Sequence, residues 1–164
     1  MTRGMTMIPG KKENDISQMI RIVWNKIPFN RVLGLELVSL HRGDIRVRMN
    51  MKDELVGNYV QRILHGGVIS SVLDVTGGLV SSLEALWEKK GRPIEEIEHR
   101  NQRFSTLDLR VDFLKPGRGN YFLAKGELLR LGKSTAVARM ELKNDEGILI
   151  AVGTGTYYLG DENI

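Results

Sequence analysis

Hydrophobic residues recur at two spacings along the chain, and these spacings divide it into helices and strands. Helical spacings of three and four residues run through residues 15–27 and again from about Gly66 to about Trp87. Strand-like alternation runs through residues 33–51. It returns in four later segments, at residues 104–116, 121–131, 134–144 and 148–159. The pattern predicts a helix, a hairpin, a long helix and four antiparallel strands, an order that favours an α+β fold.

Capping and turn residues set the expected boundaries of these elements. Asp15 is the expected N-cap of the first helix, and Pro28 is its expected end. The hairpin is expected to bend at Arg42-Gly43-Asp44. Because the pattern shows no second hydrophobic core, we expect a single domain. Residues 1–29 would be a tail and a helix packed on the main domain, which covers residues 30–164.

The long helix has two distinct faces. Its apolar face is expected to pack on the sheet and comprises Val68, Ile69, Val72, Leu73, Thr76, Leu79, Val80, Leu83 and Leu86. A second face, the small-residue stripe, comprises Gly66, Gly67, Ser70, Ser71, Asp74, Gly77, Gly78, Ser81 and Ser82. Each glycine inside a helix costs about 1 kcal/mol relative to alanine. The stripe therefore predicts the close approach of another backbone or of a thin ligand, beyond ordinary tight packing.

Asp74 is the chemically unusual member of this stripe. It stands between Leu73 and Val75, and its neighbours one helical turn away are serines and glycines rather than cations. An ionised carboxylate is costly to desolvate without a partner, so Asp74 either points to water or serves as a reactive group in a cleft. We favour the reactive group.

The start of the long helix offers a second chemical feature. Gly66 and Gly67 place unobstructed N–H groups at the positive end of the helix dipole, where they can hold an oxyanion. An ordinary glycine turn is the alternative. Asp74 lies eight residues beyond Gly66, about 12 Å along the axis, too far to act on the same carbonyl. Two copies packed antiparallel would bring the two groups together, which predicts an obligate homodimer with two shared sites.

Composition narrows the functional classes. The 164-residue chain has no cysteine, which excludes thiol catalysis and disulfides. It shows no run of about 20 apolar residues for a membrane span, and its start lacks the apolar block of a secretory signal, so we expect a cytoplasmic protein. The net charge of +4 comes from scattered basic residues, and aromatic residues make up 6%. This favours a small phosphate-bearing ligand over nucleic acid. The dispersed His41, His65 and His99 argue against a metal site.

Two segments carry a family resemblance: residues 58–78, "NYVQRILHGGVISSVLDVTGG", and residues 105–117, "STLDLRVDFLKPG". Together they closely resemble hotdog-fold acyl-CoA thioesterases of the phenylacetate-degradation (PaaI-like) type, over about residues 30–160. The resemblance implies a curved antiparallel sheet wrapped around one helix, in dimers that often pair again. It also implies hydrolysis of acyl-CoA to a carboxylic acid and free coenzyme A. No cofactor is expected, because coenzyme A is part of the substrate.

The resemblance also assigns roles to individual residues. Asp74 would be the catalytic carboxylate, acting as a base or as a nucleophile. Gly66 would supply the oxyanion N–H across the dimer, with Gly67 beside it at the substrate. His65 would support their loop.

Further roles implied by the resemblance fall outside the helix. Asn58 would help to place the thioester or the water, although in some members the asparagine falls where this chain has Tyr59. Thr106 would assist the carboxylate, with Ser105 as its neighbour at the substrate. The expected basic contacts to the coenzyme A phosphates are Arg103, Arg118, Arg130 and Lys133. Side chains from the facing protomer would set the depth of the acyl pocket, and the candidates are Met49, Met51, Leu55, Val56 and Phe104.

Two further expectations complete the sequence-based picture. Antiparallel pairing of the strand "TLDLRVDF" with its copy in a second chain, centred on Leu109, would place Asp108 opposite Arg110.

The main rival to an enzyme is a non-catalytic acyl-CoA sensor or scaffold. Such a protein would not need Asp74 and would usually carry a DNA-binding segment, for which the single N-terminal helix is insufficient.

Overall fold

The computed structural model describes residues 11–88 and 103–160. Its helices are α1 (Lys11–Lys26), α2 (Pro28–Leu33) and α3 (Gly66–Glu88), with one 3-10 turn at Asp53–Leu55. Its strands are β1 (Leu35–His41), β2 (Asp44–Asn50), β3 (Val56–Asn58), β4 (Ile63–Leu64), β5 (Ser105–Phe113), β6 (Tyr121–Leu131), β7 (Thr135–Asn144) and β8 (Leu149–Tyr158). The predicted α+β order is confirmed.

Six strands form one antiparallel sheet in the order β1-β2-β6-β7-β8-β5, and β3 pairs with β4 in a small separate ribbon. Alternate residues of each inner strand face α3; in β7 these are Ala136, Ala138, Met140 and Leu142, all fully buried. They meet the apolar face of α3, including the fully buried Val72 and Leu83. Among the described helices, α3 therefore fills the inner side of the sheet, because its apolar face continues along most of its length.

Part of the C-terminal half of the stripe serves tight packing within the chain. Gly77, Gly78 and Ser81 are buried. A Cβ at Gly77 would overlap the Tyr157 hydroxyl and lie 2.7 Å from Sδ of Met140. Gly77 thus provides the space in which Tyr157 lies against the helix. The N-terminal half of the stripe, up to Asp74, stays partly open, and so does Ser82.

We predict that Gly77→Ala lowers the free energy of unfolding by about 1–3 kcal/mol, the usual range for overpacking a filled core. Tyr157→Phe in the same chain should recover part of the loss, since it removes the overlapping oxygen. Gly78→Ala is the matched control, because its Cβ would lie 3.3 Å from Cε1 of Phe104, a tight contact without overlap. Chemical denaturation measures all three, and equal losses in the two alanine variants would contradict this account.

The N-terminal helices differ from the sequence-based boundaries. α1 already includes Lys11, so Asp15 lies inside the helix and is not its N-cap. Pro28 ends α1 as expected, but it also starts α2, since proline is well accepted at the first helical position. Trp24 is buried and donates from Nε1 to the carbonyl oxygen of Leu35 at 3.3 Å. The division into residues 1–29 and 30–164 stays a prediction.

By length and composition alone, α3 could span a membrane, which the sequence reading did not anticipate. More than half of its most apolar window is buried against the rest of the chain. The same hydrophobicity is what a helix needs in order to fill the core of a six-stranded sheet.

Candidate active site

Asp74 is half-buried and is held by the ends of two neighbouring strands. The Thr106 hydroxyl donates to Oδ1 of Asp74 at 2.9 Å, and the Tyr157 hydroxyl donates to the Asp74 main-chain oxygen at 3.1 Å. Thr106 and Tyr157 are themselves opposite each other in the pairing of β5 with β8. The structure therefore joins Asp74 to Thr106, as expected. It adds Tyr157, which sequence reasoning missed.

A β-bulge at Leu107 is what turns Thr106 towards α3. From Leu109 onwards, the odd-numbered residues of β5 lie opposite inward-facing residues of β8, beginning with the pair Leu109 and Gly155. The register shifts between Thr106 and Asp108, so that even-numbered Thr106 lies opposite the buried Tyr157. Residues directly opposite in an antiparallel pair share a face, and one extra residue reverses the alternation. Without the bulge, the Thr106 side chain would point away from Asp74.

Partial burial raises the pKa of Asp74 above the ordinary aspartate value, and the hydrogen bond from Thr106 and the nearby Tyr157 hydroxyl oppose the rise. Burial, together with the nearby Asp74 carboxylate, raises the pKa of Tyr157 far above its usual range. Tyr157 therefore stays protonated and acts as a hydrogen-bond donor. The raised pKa makes the Asp74 carboxylate more basic than an ordinary aspartate, which suits a general base or a nucleophile.

We predict that Thr106→Val moves the acid limb of the pH–rate profile to higher pH. The variant removes a hydrogen bond that favours ionised Asp74, so the pKa of Asp74 rises further and more acid remains protonated at a given pH. The measurement is kcat/KM against pH for the wild type and the variant. Thr106→Ser is the control, because it keeps the hydroxyl and should keep the acid limb in place. A limb that moves to lower pH would contradict the role of Thr106.

The start of α3 presents one engaged N–H group and one free N–H group. Nδ1 of His65 accepts a hydrogen bond from the Gly67 N–H at 2.9 Å, so His65 caps the helix with its own ring. Within the described ranges 11–88 and 103–160, nothing accepts a hydrogen bond from the Gly66 N–H. Of the two glycines, Gly66 is thus the one with a donor to offer.

Two glycines outside the helix support this end of α3, and both were missed in the sequence. A Cβ at Gly57 would lie 2.7 Å from Cα of His65, and a Cβ at Gly117 would lie 2.7 Å from Cβ of Leu64. The Gly117 carbonyl also accepts the Leu64 N–H at 2.9 Å. Gly117 and Leu64 are remote in sequence, so only the position of Gly117 in a turn-like segment could have indicated this contact.

Within the described part of the chain, no hydrogen bond joins Asn58 or Ser105 to Asp74. The Asn58 side-chain oxygen accepts the Gln61 N–H at 3.0 Å and so holds the turn between β3 and β4. Ser105 lies opposite Tyr158 at the start of β5 and is exposed. Their roles towards a substrate stay predictions.

The four candidate cations do not form one cluster. Arg103 precedes β5, Arg130 is near the end of β6, and Lys133 follows β6. All three are therefore at the end of the sheet where Thr106 lies. Arg118 is at the opposite end, between β5 and β6. Its guanidinium donates to the Gln61 carbonyl at 2.9 Å and to the Gln61 side chain at 3.0 Å. All four side chains are exposed.

Asp74 and Thr106 open into a cleft of about 270 Å³ between α3 and the N-terminal helices. Phe104 lines this cleft and stacks on Tyr157, with ring centroids 5.9 Å apart. Of the five candidate acyl-pocket residues, Phe104 lines this cleft within its own chain, whereas Met49 and Leu55 are buried in the core and Met51 and Val56 do not line the cleft. Their contribution to a facing protomer stays a prediction. Sequence reasoning missed the contribution of α1, because amphipathic spacing indicates a buried face without saying what it faces.

In this chain a half-buried carboxylate lies beside an apolar cleft, on a helix that starts with glycine and packs inside a wrapped sheet. This is the arrangement of a hotdog hydrolase. The model of the thioesterase superfamily matches residues 61–151, and the chain belongs to this family. A medium/long-chain acyl-CoA thioesterase, YigI of Salmonella typhimurium, is 47% identical over 134 residues, which are 82% of this chain and 86% of that protein.

Solved structures confirm the hotdog fold. A Shewanella oneidensis protein related to the thioesterase superfamily matches with a TM-score of 0.87 and 40% identity, covering 93% of this chain and 100% of that one. The PaaI protein of E. coli, from the phenylacetic acid degradation operon, matches with a TM-score of 0.71 over 90% of this chain and 94% of its own. At 20% identity, that match shows a shared fold alone.

Proposed function

We propose that this protein hydrolyses acyl-CoA thioesters to a carboxylic acid and free coenzyme A. The observation that carries the proposal is the Asp74 carboxylate, half-buried, hydrogen-bonded by Thr106 and open to an apolar cleft. The name of the Salmonella typhimurium relative supports acyl-CoA as the substrate class. Because that name specifies medium and long acyl chains, we favour such chains over the phenylacetyl group that a PaaI-like enzyme would accept. A pure acyl-CoA sensor would have no use for a carboxylate of enhanced basicity.

The chemistry requires one attacking group and one stabiliser for the carbonyl oxygen. As a base, Asp74 takes a proton from water, whose oxygen forms the new C–O bond. The C–S bond breaks and the proton passes to the departing thiolate. As a nucleophile, Asp74 attacks the carbonyl carbon and the C–S bond breaks, which releases the coenzyme A thiolate and leaves an anhydride. Water then opens the anhydride to the free acid and the Asp74 carboxylate, and the remaining proton passes to the thiolate. In either route the free Gly66 N–H would hold the oxyanion.

The proposal includes a homodimer, since Asp74 and Gly66 are eight residues apart on one straight helix, about 12 Å along its axis. The second copy would bring its Gly66 to Asp74. Strand β5 offers the contact: its one neighbour among the described strands is β8, and Leu107 and Phe113 project from it exposed. In the proposed pairing Asp108 lies opposite Arg110 of the partner subunit. In this chain Arg110 forms a salt bridge with Asp112.

A substrate panel tests the function directly. Purified protein is offered butyryl-, octanoyl-, decanoyl-, palmitoyl- and phenylacetyl-CoA, and released thiol is followed with a chromogenic disulfide. We expect turnover that favours the medium and long straight chains. Calorimetric binding of acyl-CoA without any thiol release would support the sensor instead and would overturn the enzyme assignment.

A further inference from the structure

The cleft next to Asp74 is a groove that follows α3 for about two helical turns and begins at Asp74. Along α3 its floor runs from Asp74 through Leu79 to Ser82. Its opposite wall is made of α1 and the α1–α2 junction, including Val23 and Trp24. Asp74, with Thr106, is at one end of this stretch of α3, and most of the remaining lining is apolar.

The dimensions of the groove match an acyl chain. From Asp74 to Ser82 the helix advances about 12 Å. An extended hydrocarbon advances about 1.3 Å for each carbon–carbon bond, so roughly nine carbons fit along this length. The volume of about 270 Å³ agrees, because a methylene occupies close to the volume of one water molecule, about 30 Å³.

The α1 wall is anchored to the rest of the domain. Trp24 is bonded to β1 through the Leu35 carbonyl, and the Asn30 side-chain amide donates to the Trp24 carbonyl at 3.4 Å. Ile20 and Trp24 belong to the main hydrophobic core. The groove is therefore already formed in the chain.

We propose that the acyl tail of the substrate lies in this groove and that α1 sets the chain length the enzyme accepts. The inference rests on the proposed thioesterase function and extends it. A hydrocarbon tail suits the groove because it needs no hydrogen-bond partners, whereas the amides of the pantetheine arm would lose theirs in an apolar channel. The thioester carbonyl then lies at the Asp74 end.

The first test is a chain-length series on a matched pair of variants. For the wild type, kcat/KM rises about three- to fourfold per methylene up to about ten carbons and then levels off. Val23→Phe fills the groove by about two methylenes and lowers the ratio of decanoyl- to butyryl-CoA activity by about tenfold. Ile22→Phe is the control, because Ile22 is adjacent on α1 but 59% exposed and outside the groove. It leaves the ratio unchanged.

Ser82→Phe repeats the test from the opposite wall, so the result does not depend on one variant folding. Circular dichroism melts identify the folded variants. If folded Val23→Phe and Ser82→Phe keep the wild-type ratio, or if both substrates lose activity equally, the groove is not the acyl site. Wild-type protein that releases no thiol from any acyl-CoA overturns the proposed function itself, a separate result.

Trp24 provides a direct readout without altering the groove. In a Trp87→Phe, Asp74→Asn protein, Trp24 is the remaining tryptophan of the two in the chain. Binding of 10-bromodecanoyl-CoA is expected to quench its fluorescence, because the heavy atom comes to rest in the groove. Decanoyl-CoA is the control and should leave the emission unquenched. Calorimetric binding of the bromo compound without quenching overturns the placement.

Discussion

Asp74→Asn is expected to lower kcat/KM for acyl-CoA hydrolysis by at least about 100-fold, the usual contribution of a positioned general base. The amide keeps an oxygen that can accept the Thr106 hydrogen bond, but it can neither take a proton nor attack a carbonyl. Thiol release from decanoyl-CoA measures the effect. Undiminished hydrolysis in the variant would end the assignment of Asp74.

The same variant is expected to melt at the wild-type temperature or above it. Because the pKa of Asp74 is raised on folding, its ionisation destabilises the native state. This cost is fully present above the folded pKa and is absent below about pH 4, where the acid is protonated in both states. Asparagine avoids the cost at neutral pH. Calorimetric melts at neutral and acid pH show whether the variant loses activity because the reacting group is gone or because the protein unfolds. A large drop in melting temperature at neutral pH would point to a structural role for Asp74.

The second large effect is expected for Gly66→Pro, which should lower kcat by about 10²–10³-fold. Gly66 is the first residue of α3, a position where proline fits well and removes just the N–H group. Gly66→Ala is the matched control. Its Cβ would lie 3.5 Å from the Phe113 ring, an ordinary contact, so it keeps the donor without a clash. Equal activity of the two variants, both folded by circular dichroism, would exclude the Gly66 N–H as the oxyanion donor.

Mixing these two inactive variants tests whether the site is shared between subunits. In a dimer of one Asp74→Asn chain and one Gly66→Pro chain, one of the two sites combines an intact Asp74 with an intact Gly66. After co-refolding, the mixture should regain activity that neither variant has alone. No recovery in a mixture shown by mass spectrometry to contain the mixed dimer would contradict the shared site.

Hydrophobic periodicity was sufficient to predict most of the fold. The bounds of α3 were correct to within a residue, and the β1–β2 hairpin and the four later strands lie where alternation placed them. The bulge at Leu107 was not predictable, because a one-residue change of phase resembles noise in a short exposed strand. The α2 helix was missed since Pro28 was interpreted as an end and not also as a start.

The polar centre of the site was predictable, but its surroundings were not. Asp74 is conspicuous because a lone acid in a stripe of small residues has no local partner, and the resemblance added Thr106. Tyr157 is 83 residues from Asp74, and its hydroxyl fits only because Gly77 leaves space for it. The acyl groove depends on how α1 docks against α3. Contacts of this kind are set by tertiary packing, which spacing alone does not encode.

The bulge in β5 has a consequence for loop grafting and for the alignment of related chains. Whether a hydroxyl of β5 reaches Asp74 depends on the number of residues between Thr106 and Leu109 as much as on their identities. A deletion at Leu107 would leave Thr106 in the sequence but turn it away from the acid. An alignment that places a gap at this point will assign the contact with Asp74 to the wrong residue. A gap before Ser105 leaves the pairing of Thr106 with Tyr157 intact.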